Sequence, residues 1–415
     1  MRQYLKRISL NFGAQTFSKL ISLALGLLNV GLITRYLGGA GYGNFVLAFA
    51  YFSFFGVLAD FGFHLTMVRD LADGKEEDKI YSAFFSLKLI FIVFSLIFAI
   101  IILPFFPYNN FVKTGIILGA LGSSIGILNN YGTSIFQARV RLDLVAILEI
   151  ITKIGTTLFV VLFIYLNLGF YFVLISVLLG NLFGSLFIYL SIVRTTSLKL
   201  ALDLKIAKKI ICRSFPVFLA SLLSILYFKL DILILSFFRD SREIGAYGLS
   251  YKIIENLLMF WGFFMASLYP LLSKLKNKRD EQKKLFKNSF LVALLSSLLL
   301  VLLLFPLAPY VIRLVAGDDF SQSTFLLKIL LVALPFFFIN NLYFHFFLSI
   351  NKIRFITIPV FISLILNLAL NLVTIPSFGA TAAAINTCVV EFSLLGAYLY
   401  FFSRDGNRKG VAISG

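Results

Sequence analysis

Ten ionisable residues sit inside long apolar runs of the chain. The bases are Lys19, Lys88, Lys153, Lys229 and Lys252; the acids are Asp60, Glu149, Asp231, Glu255 and Glu391. A charged side chain near the centre of a membrane helix costs about 2.5–3.5 kcal/mol, so such residues face one another or a water-filled cavity. Together they point to a polar pathway. Lys252, a few residues from the end of its run, can instead snorkel to the interface. Glu149 and Lys153 are four residues apart in the favoured order and can neutralise each other. Lys229 and Asp231 are two apart and point to nearly opposite sides of a helix, so at least one needs a partner on another helix or a cavity. Five bases balance five acids, so counts alone do not make the pathway cationic.

Helical spacing sorts the polar residues by face. Asn11, Gln15, Ser18, Lys19, Ser22, Gly26 and Asn29 fall in one arc about 100° wide on an otherwise apolar helix. A stripe of small residues also serves as a packing seam, but two asparagines, a glutamine and a lysine exceed what a seam needs. Ser53, Gly56, Asp60, His64 and Met67 repeat the pattern on the second run, and Lys252, Glu255, Asn256 and Met259 on the eighth. Asp231 shares its face with Ser224 and Tyr227.

Other chemistries find little support. Two cysteines, Cys212 and Cys388, build no disulfide framework, and two histidines, His64 and His345, leave no clustered zinc or haem site. No Gly-x-x-x-x-Gly-Lys-Ser/Thr loop is present. Neither a metal nor a cofactor is expected.

The elements that position the charges follow from composition. The 415 residues are 60% hydrophobic and 13% charged, with mean hydropathy +0.96. That excludes a soluble enzyme and a disordered chain. A span needs roughly 20 apolar residues, and twelve such runs occur, at about 9–33, 43–68, 80–103, 113–136, 144–166, 169–193, 214–238, 249–273, 286–308, 325–349, 356–375 and 379–402. The first is too long for a signal peptide and lacks a small-residue cleavage site after it. The expectation is an all-α integral membrane protein of about twelve transmembrane helices in two six-helix bundles, 1–200 and 201–415.

The net charge of +18 raises nucleic acid as a partner, but the lysines and arginines lie mainly in short segments between apolar runs. There they set topology. Of the 37 basic residues, 26 fall on the side shared by the two termini, chiefly in the stretches Arg194–Arg213 and Lys274–Lys287; six fall on the other. Both termini are therefore expected in the cytoplasm, and no nucleic-acid partner is expected. Most prolines fall near span ends; Pro335, inside span ten, predicts a kink.

The links after spans one and seven read alike. The first is Arg35-Tyr36-Leu37-Gly38-Gly39-Ala40-Gly41-Tyr42-Gly43; the second, Arg242-Glu243-Ile244-Gly245-Ala246-Tyr247-Gly248. Each is expected as a short outer loop whose glycines permit a tight turn. Their matching positions suggest two parallel six-span repeats, a common transporter plan.

These residues carry a resemblance. The first link is similar to an Arg-x-Leu-Gly…Tyr-Gly signature. Phe215-Pro216, Lys229-Leu230-Asp231 and Ile244-Gly245-Ala246-Tyr247 resemble a Phe-Pro…Asp…Gly-x-Tyr pattern. Asn367 and Asn371, followed by Ile375-Pro376-Ser377-Phe378-Gly379-Ala380-Thr381-Ala382-Ala383, resemble a third motif. The motifs are those of the Wzx-type O-antigen and polysaccharide flippases of the multidrug/oligosaccharidyl-lipid/polysaccharide exporter superfamily, and the resemblance covers essentially the whole chain.

The resemblance implies a multi-pass protein of the bacterial inner (cytoplasmic) membrane that opens a central cavity alternately to each side. It implies a lipid-linked oligosaccharide substrate carried on undecaprenyl pyrophosphate, used for O-antigen or another surface polysaccharide, with membrane lipids and a polysaccharide polymerase as partners. A pyrophosphate sugar head cannot cross hydrocarbon unaided. Lys19, Lys153 and Lys229 would receive it, with Asn11, Gln15 and Asn29 beside them. Asp60, Glu149, Asp231 and Glu255 are the candidates for coupling to H+ or Na+. The rivals are a cation-coupled drug exporter of the same superfamily and a membrane-embedded polysaccharide polymerase. The longest outer loop, around Ala308–Phe325, carries Arg313, Asp318 and Asp319 but no convincing catalytic set.

Overall fold

The computed structural model describes residues 2–72, 78–192 and 200–408; the side chains of residues 2–16, Asp78, Arg279 and 405–408 lie outside the description. Eleven α-helices account for most of the described residues, and no strand occurs among them. They are α1 (Arg2–Asp60), α2 (Phe63–Ala72), α3 (Asp78–Ile102), α4 (Asn110–Ala138), α5 (Leu142–Tyr165), α6 (Phe170–Ile192), α7 (Leu204–Phe238), α8 (Ser241–Lys274), α9 (Arg279–Ala316), α10 (Ser321–Ser349) and α11 (Arg354–Arg408).

The twelve expected spans are accommodated because two helices each supply two. Helix α1 leaves helical geometry at Gly38 (φ 64°) and α11 at Gly379 (φ 58°), so each is a pair of arms joined at one glycine. Positive φ is accessible to glycine without the clash that a Cβ would bring. Ten stretches of the described residues are long and apolar enough to cross a membrane, and the first and last contain both arms.

The expected outer loops are therefore largely helix. Gly41, Tyr42 and Gly43 continue α1 beyond Gly38, and Gly245, Ala246, Tyr247 and Gly248 lie in α8. The first link turns the chain at Gly38, as its glycines permit, while the small-Tyr-Gly shared by both links, with Tyr42 and Tyr247 buried, packs helices. In the membrane, small residues let backbones approach closely. A Cβ on Gly155 would stand 3.3 Å from Gly180 Cα, where α5 meets α6.

The second expected span differs more. Phe61 (φ 46°) and Gly62 (φ 73°) break it between α1 and α2, so Ser53, Gly56 and Asp60 do not form one continuous helical stripe with His64 and Met67. The prolines differ too. Pro216, Pro270, Pro306, Pro309, Pro359 and Pro376 lie within helices, because charged stretches such as Lys205–Arg213 extend the helices past the apolar runs. Helix α10 runs continuously through Pro335, where the kink is expected.

The chain packs as two compact units, Met1–Lys229 and Leu230–Gly415, divided within α7. In the first unit, α1 packs on α3, α4 and α5, and α6 packs on α4 and α5. In the second, α10 is central and packs on α8, α9 and α11. Each unit is also fastened where its helical arms turn. In the first, Gly169 N–H donates to Tyr36 Oη (2.8 Å), and Tyr36 Oη donates to Asn167 Oδ1 (2.9 Å). In the second, Ala380 N–H donates to Glu243 Oε1 (2.7 Å), and Arg239 donates to the Pro376 carbonyl (3.0 Å).

Candidate functional site

The densest polar cluster lies in the second unit, around Asp231. Its carboxylate sits near the end of α7 and is 3% exposed. Tyr247 Oη, from α8, donates to Asp231 Oδ2 at 2.7 Å, and Asn371 Nδ2, from the first arm of α11, donates to Oδ1 at 3.3 Å. Asn371 Nδ2 also donates to Asn367 Oδ1 (2.8 Å), while Asn371 Oδ1 accepts from Asn386 Nδ2 (2.7 Å) on the second arm. Asn386 further donates to Thr374 Oγ1 (2.8 Å), and Thr387 Oγ1 lies 3.5 Å from the Tyr247 hydroxyl.

The bend at Gly379 makes this cluster. Asn367, Asn371 and Thr374 recur on one face of the first arm, and folding back at Gly379 brings Asn386 and Thr387 to the same place. A buried carboxylate demands hydrogen-bonded or charged partners. Here the cluster supplies a phenol and amides, and its amide and hydroxyl oxygens suit a hard monovalent cation as well as a proton on the carboxyl. The partner expected for Asp231 on another helix is therefore Tyr247 and Asn371. Sequence reading singled out Asp231 and the two α11 asparagines, but not Tyr247, Asn386 or Thr387 as their companions.

The first unit distributes the remaining candidates. Lys88 of α3 is 2% exposed, and its Nζ lies 2.7 Å from Asp60 Oδ1, beside the break between α1 and α2. His64 Nδ1 is 2.8 Å from Ser134 Oγ on α4. Ser18 Oγ donates to the Ala146 carbonyl (2.9 Å) and meets Glu149 Oε2 at 3.4 Å, which joins the α1 stripe to α5. Lys19 is half-buried on that stripe, Lys153 is exposed on α5, and Lys229 is half-buried on α7. Asn29 is buried, and the side-chain oxygens of Ser22 and Asn29 have no hydrogen-bond partner. Asn11 and Gln15 lie on α1, but their side chains are outside the described ones.

Two further pairs lie outside these groupings. Glu255 in the second unit pairs with the more exposed Lys252 at 2.9 Å. Between α4 and α5, the Asp143 carboxylate holds the Arg141 guanidinium above its ordinary proton affinity through their 2.8 Å contact. Among the described residues, no group of three or more His, Cys, Asp or Glu is arranged to hold a metal ion.

Helices broken at glycine, two units and buried polar clusters within membrane-length segments define a polytopic architecture. The family model described as polysaccharide biosynthesis protein matches residues 9–276, and one described as MatE matches 216–373. The chain belongs to the polysaccharide biosynthesis protein family.

Among curated proteins, the chain is similar to the multidrug export protein MepA of Staphylococcus aureus (strain bovine RF122 / ET3-1), 22% identical over 206 residues. That match covers 48% of this chain and 46% of MepA, so it spans about half of the relative. The MepA of Staphylococcus saprophyticus is 24% identical over 207 residues.

Among solved structures, the lipid II flippase MurJ in an inward closed conformation superposes with TM-score 0.78 at 18% identity, covering 94% of this chain and 87% of MurJ. An inward-facing multidrug resistance MATE family transporter superposes with TM-score 0.74 at 17% identity, covering 95% and 96%. These likenesses establish the fold.

Proposed function

We propose that the protein is a flippase that moves an undecaprenyl-pyrophosphate-linked oligosaccharide repeat unit across the bacterial inner membrane, toward O-antigen or another surface polysaccharide. The observation that carries this reading is the polysaccharide biosynthesis family match over residues 9–276. Bundles 1–200 and 201–415 alternate in access, with both termini cytoplasmic, in keeping with the bias of basic residues to one side. Lys19, Lys153 and Lys229 bind the pyrophosphate as charge-assisted donors. Asn11, Gln15 and Asn29 meet the sugar; the unpartnered Asn29 oxygen supports its part.

Asp231 is the coupling carboxylate. Its hydrogen-bond donors include a phenol and an amide on α8 and α11. Occupancy of the Asp231 cluster by a proton or Na+ relieves a buried charge and biases the two arms of α11. Glu149, beside Ser18, is held as an accessory to the α1 stripe.

The drug-exporter reading draws on the MatE match over 216–373 and on the MepA similarity. A deletion strain separates the two. Mass spectrometry of lipid-linked sugars, combined with measurement of surface glycan, is expected to show complete lipid-linked repeat units accumulating while surface polymer is lost. Normal intermediates and normal glycan, in a strain with no redundant transporter, would sink the flippase reading in favour of the exporter.

A further inference from the structure

The second unit contains another buried carboxyl group, Glu391, which the function above leaves unused. It lies on the second arm of α11 and is 2% exposed. Asn340 Nδ2, from α10, donates to Glu391 Oε2 at 2.8 Å and to the Glu391 backbone carbonyl at 2.9 Å. Both amide hydrogens of Asn340 therefore have acceptors on one residue. Its Oδ1 is buried without a hydrogen-bond partner. Tyr251 from α8 and Cys388 and Tyr398 from its own helix interact electrostatically with Glu391, and the neutral Asn340 of α10 faces it.

A carboxamide can serve either protonation state of a neighbouring carboxyl. Its NH2 donates to a carboxylate, and its carbonyl oxygen accepts from a carboxylic acid. The present arrangement satisfies the carboxylate and leaves the amide oxygen without a donor. Adding a proton to Glu391 supplies the missing donor, and rotation of the Asn340 amide then brings its oxygen to the acid O–H. The proton comes from the aqueous phase and returns there; the carboxyl O–H is the one covalent bond made and broken, and the rotation exchanges the Asn340 N–H hydrogen bonds to Glu391 for the one from the acid. A buried carboxyl charge is strongly disfavoured in an apolar interior, which gives proton uptake its driving force.

We propose that Glu391 is a proton-binding site of the C-terminal unit, with Asn340 as the two-state partner that registers its protonation. The site is additional to the Asp231 cluster, and its part in transport rests on the reading of the chain as an ion-coupled flippase. Because the proton is read out through α10, a reporter is built in. Trp261 of α8, the single tryptophan of the chain, stacks on Phe338 with ring centroids 4.6 Å apart at 13°. Phe338 is two residues before Asn340. The Trp261 Nε1–H is buried and has no partner, so its emission is sensitive to a nearby change in hydrogen bonding.

The test uses the full-length protein in nanodiscs without substrate, so its outcome is independent of what the protein transports. Tryptophan emission is followed as pH is varied. The expected result is a one-proton transition that is lost in Glu391→Gln, recovered with a shifted midpoint in Glu391→Asp, and retained in Asp231→Asn. Recovery in the aspartate variant distinguishes loss of a titrating group from loss of the fold. An unresponsive wild type, an unchanged transition in Glu391→Gln, or failure of Glu391→Asp to restore it overturns the proposal.

Discussion

Lys88→Met gives the sharpest energetic test of the first unit. Lys88 is almost wholly buried, and its Nζ–Oδ1 contact with Asp60 is 2.7 Å. Removing one member of a buried ion pair destabilises by about 3–5 kcal/mol, because it leaves an uncompensated charge. Asp60 retains 23% exposure, so the lower end, about 3 kcal/mol, is appropriate here. Replacing both members with neutral residues removes the stranded charge, so Asp60→Asn/Lys88→Met should fall well short of the sum of the single losses. The coupling energy in the four-member cycle should then reach at least about 2 kcal/mol, within the range seen for residues in contact. Reversible unfolding in bicelles, measured for wild type, both single variants and the double variant, gives this number. A Lys88→Met loss below about 1 kcal/mol, or singles that simply add in the double variant, would refute the claim that the pair neutralises a buried charge.

Three other outcomes follow from the geometry. Lys19→Ala should impair surface-glycan export without lowering membrane abundance; full export, measured against immunoblotted protein, removes Lys19 from the substrate path. Gly379→Ala should destabilise the second unit by about 1–3 kcal/mol through its positive φ, and its new Cβ would also collide with Glu243; an unchanged melting temperature counts against this bend being obligatory. Asp231→Asn should abolish the dependence of flipping on an imposed proton or sodium gradient in proteoliposomes, while transport down a substrate gradient persists; gradient dependence equal to wild type excludes Asp231 as the coupling group.

The architecture was legible because hydrophobic thickness imposes a length on every crossing segment, and twelve runs of that length can be counted. The junctions were less legible. Composition alone does not distinguish a glycine-rich loop from two helices meeting at one glycine, so Gly41–Gly43 and Gly245–Gly248 were expected outside helices. The break at Phe61–Gly62 was missed because the apolar run continues through it. Among the site residues, Asp231 was detectable from its burden as a charge in an apolar segment. Its partners were not, because Asn371 is 140 residues away and becomes a neighbour only through tertiary packing. The burial of Lys88 was hidden for the same reason: snorkelling and burial in an ion pair begin from the same lysine in the same apolar run.

The Lys88–Asp60 contact also constrains how the chain is made. Its members lie 28 residues apart on successive crossing segments, so Asp60 emerges from the ribosome before its partner does. If the first segment partitioned fully into lipid alone, it would carry that carboxylate unaccompanied. The pair therefore favours release of the two segments from the insertion machinery together, as a hairpin whose charges have already met. A pause in synthesis timed when Asp60 has left the ribosome but Lys88 has not should then reduce the yield of inserted protein more than an equal pause after both have emerged.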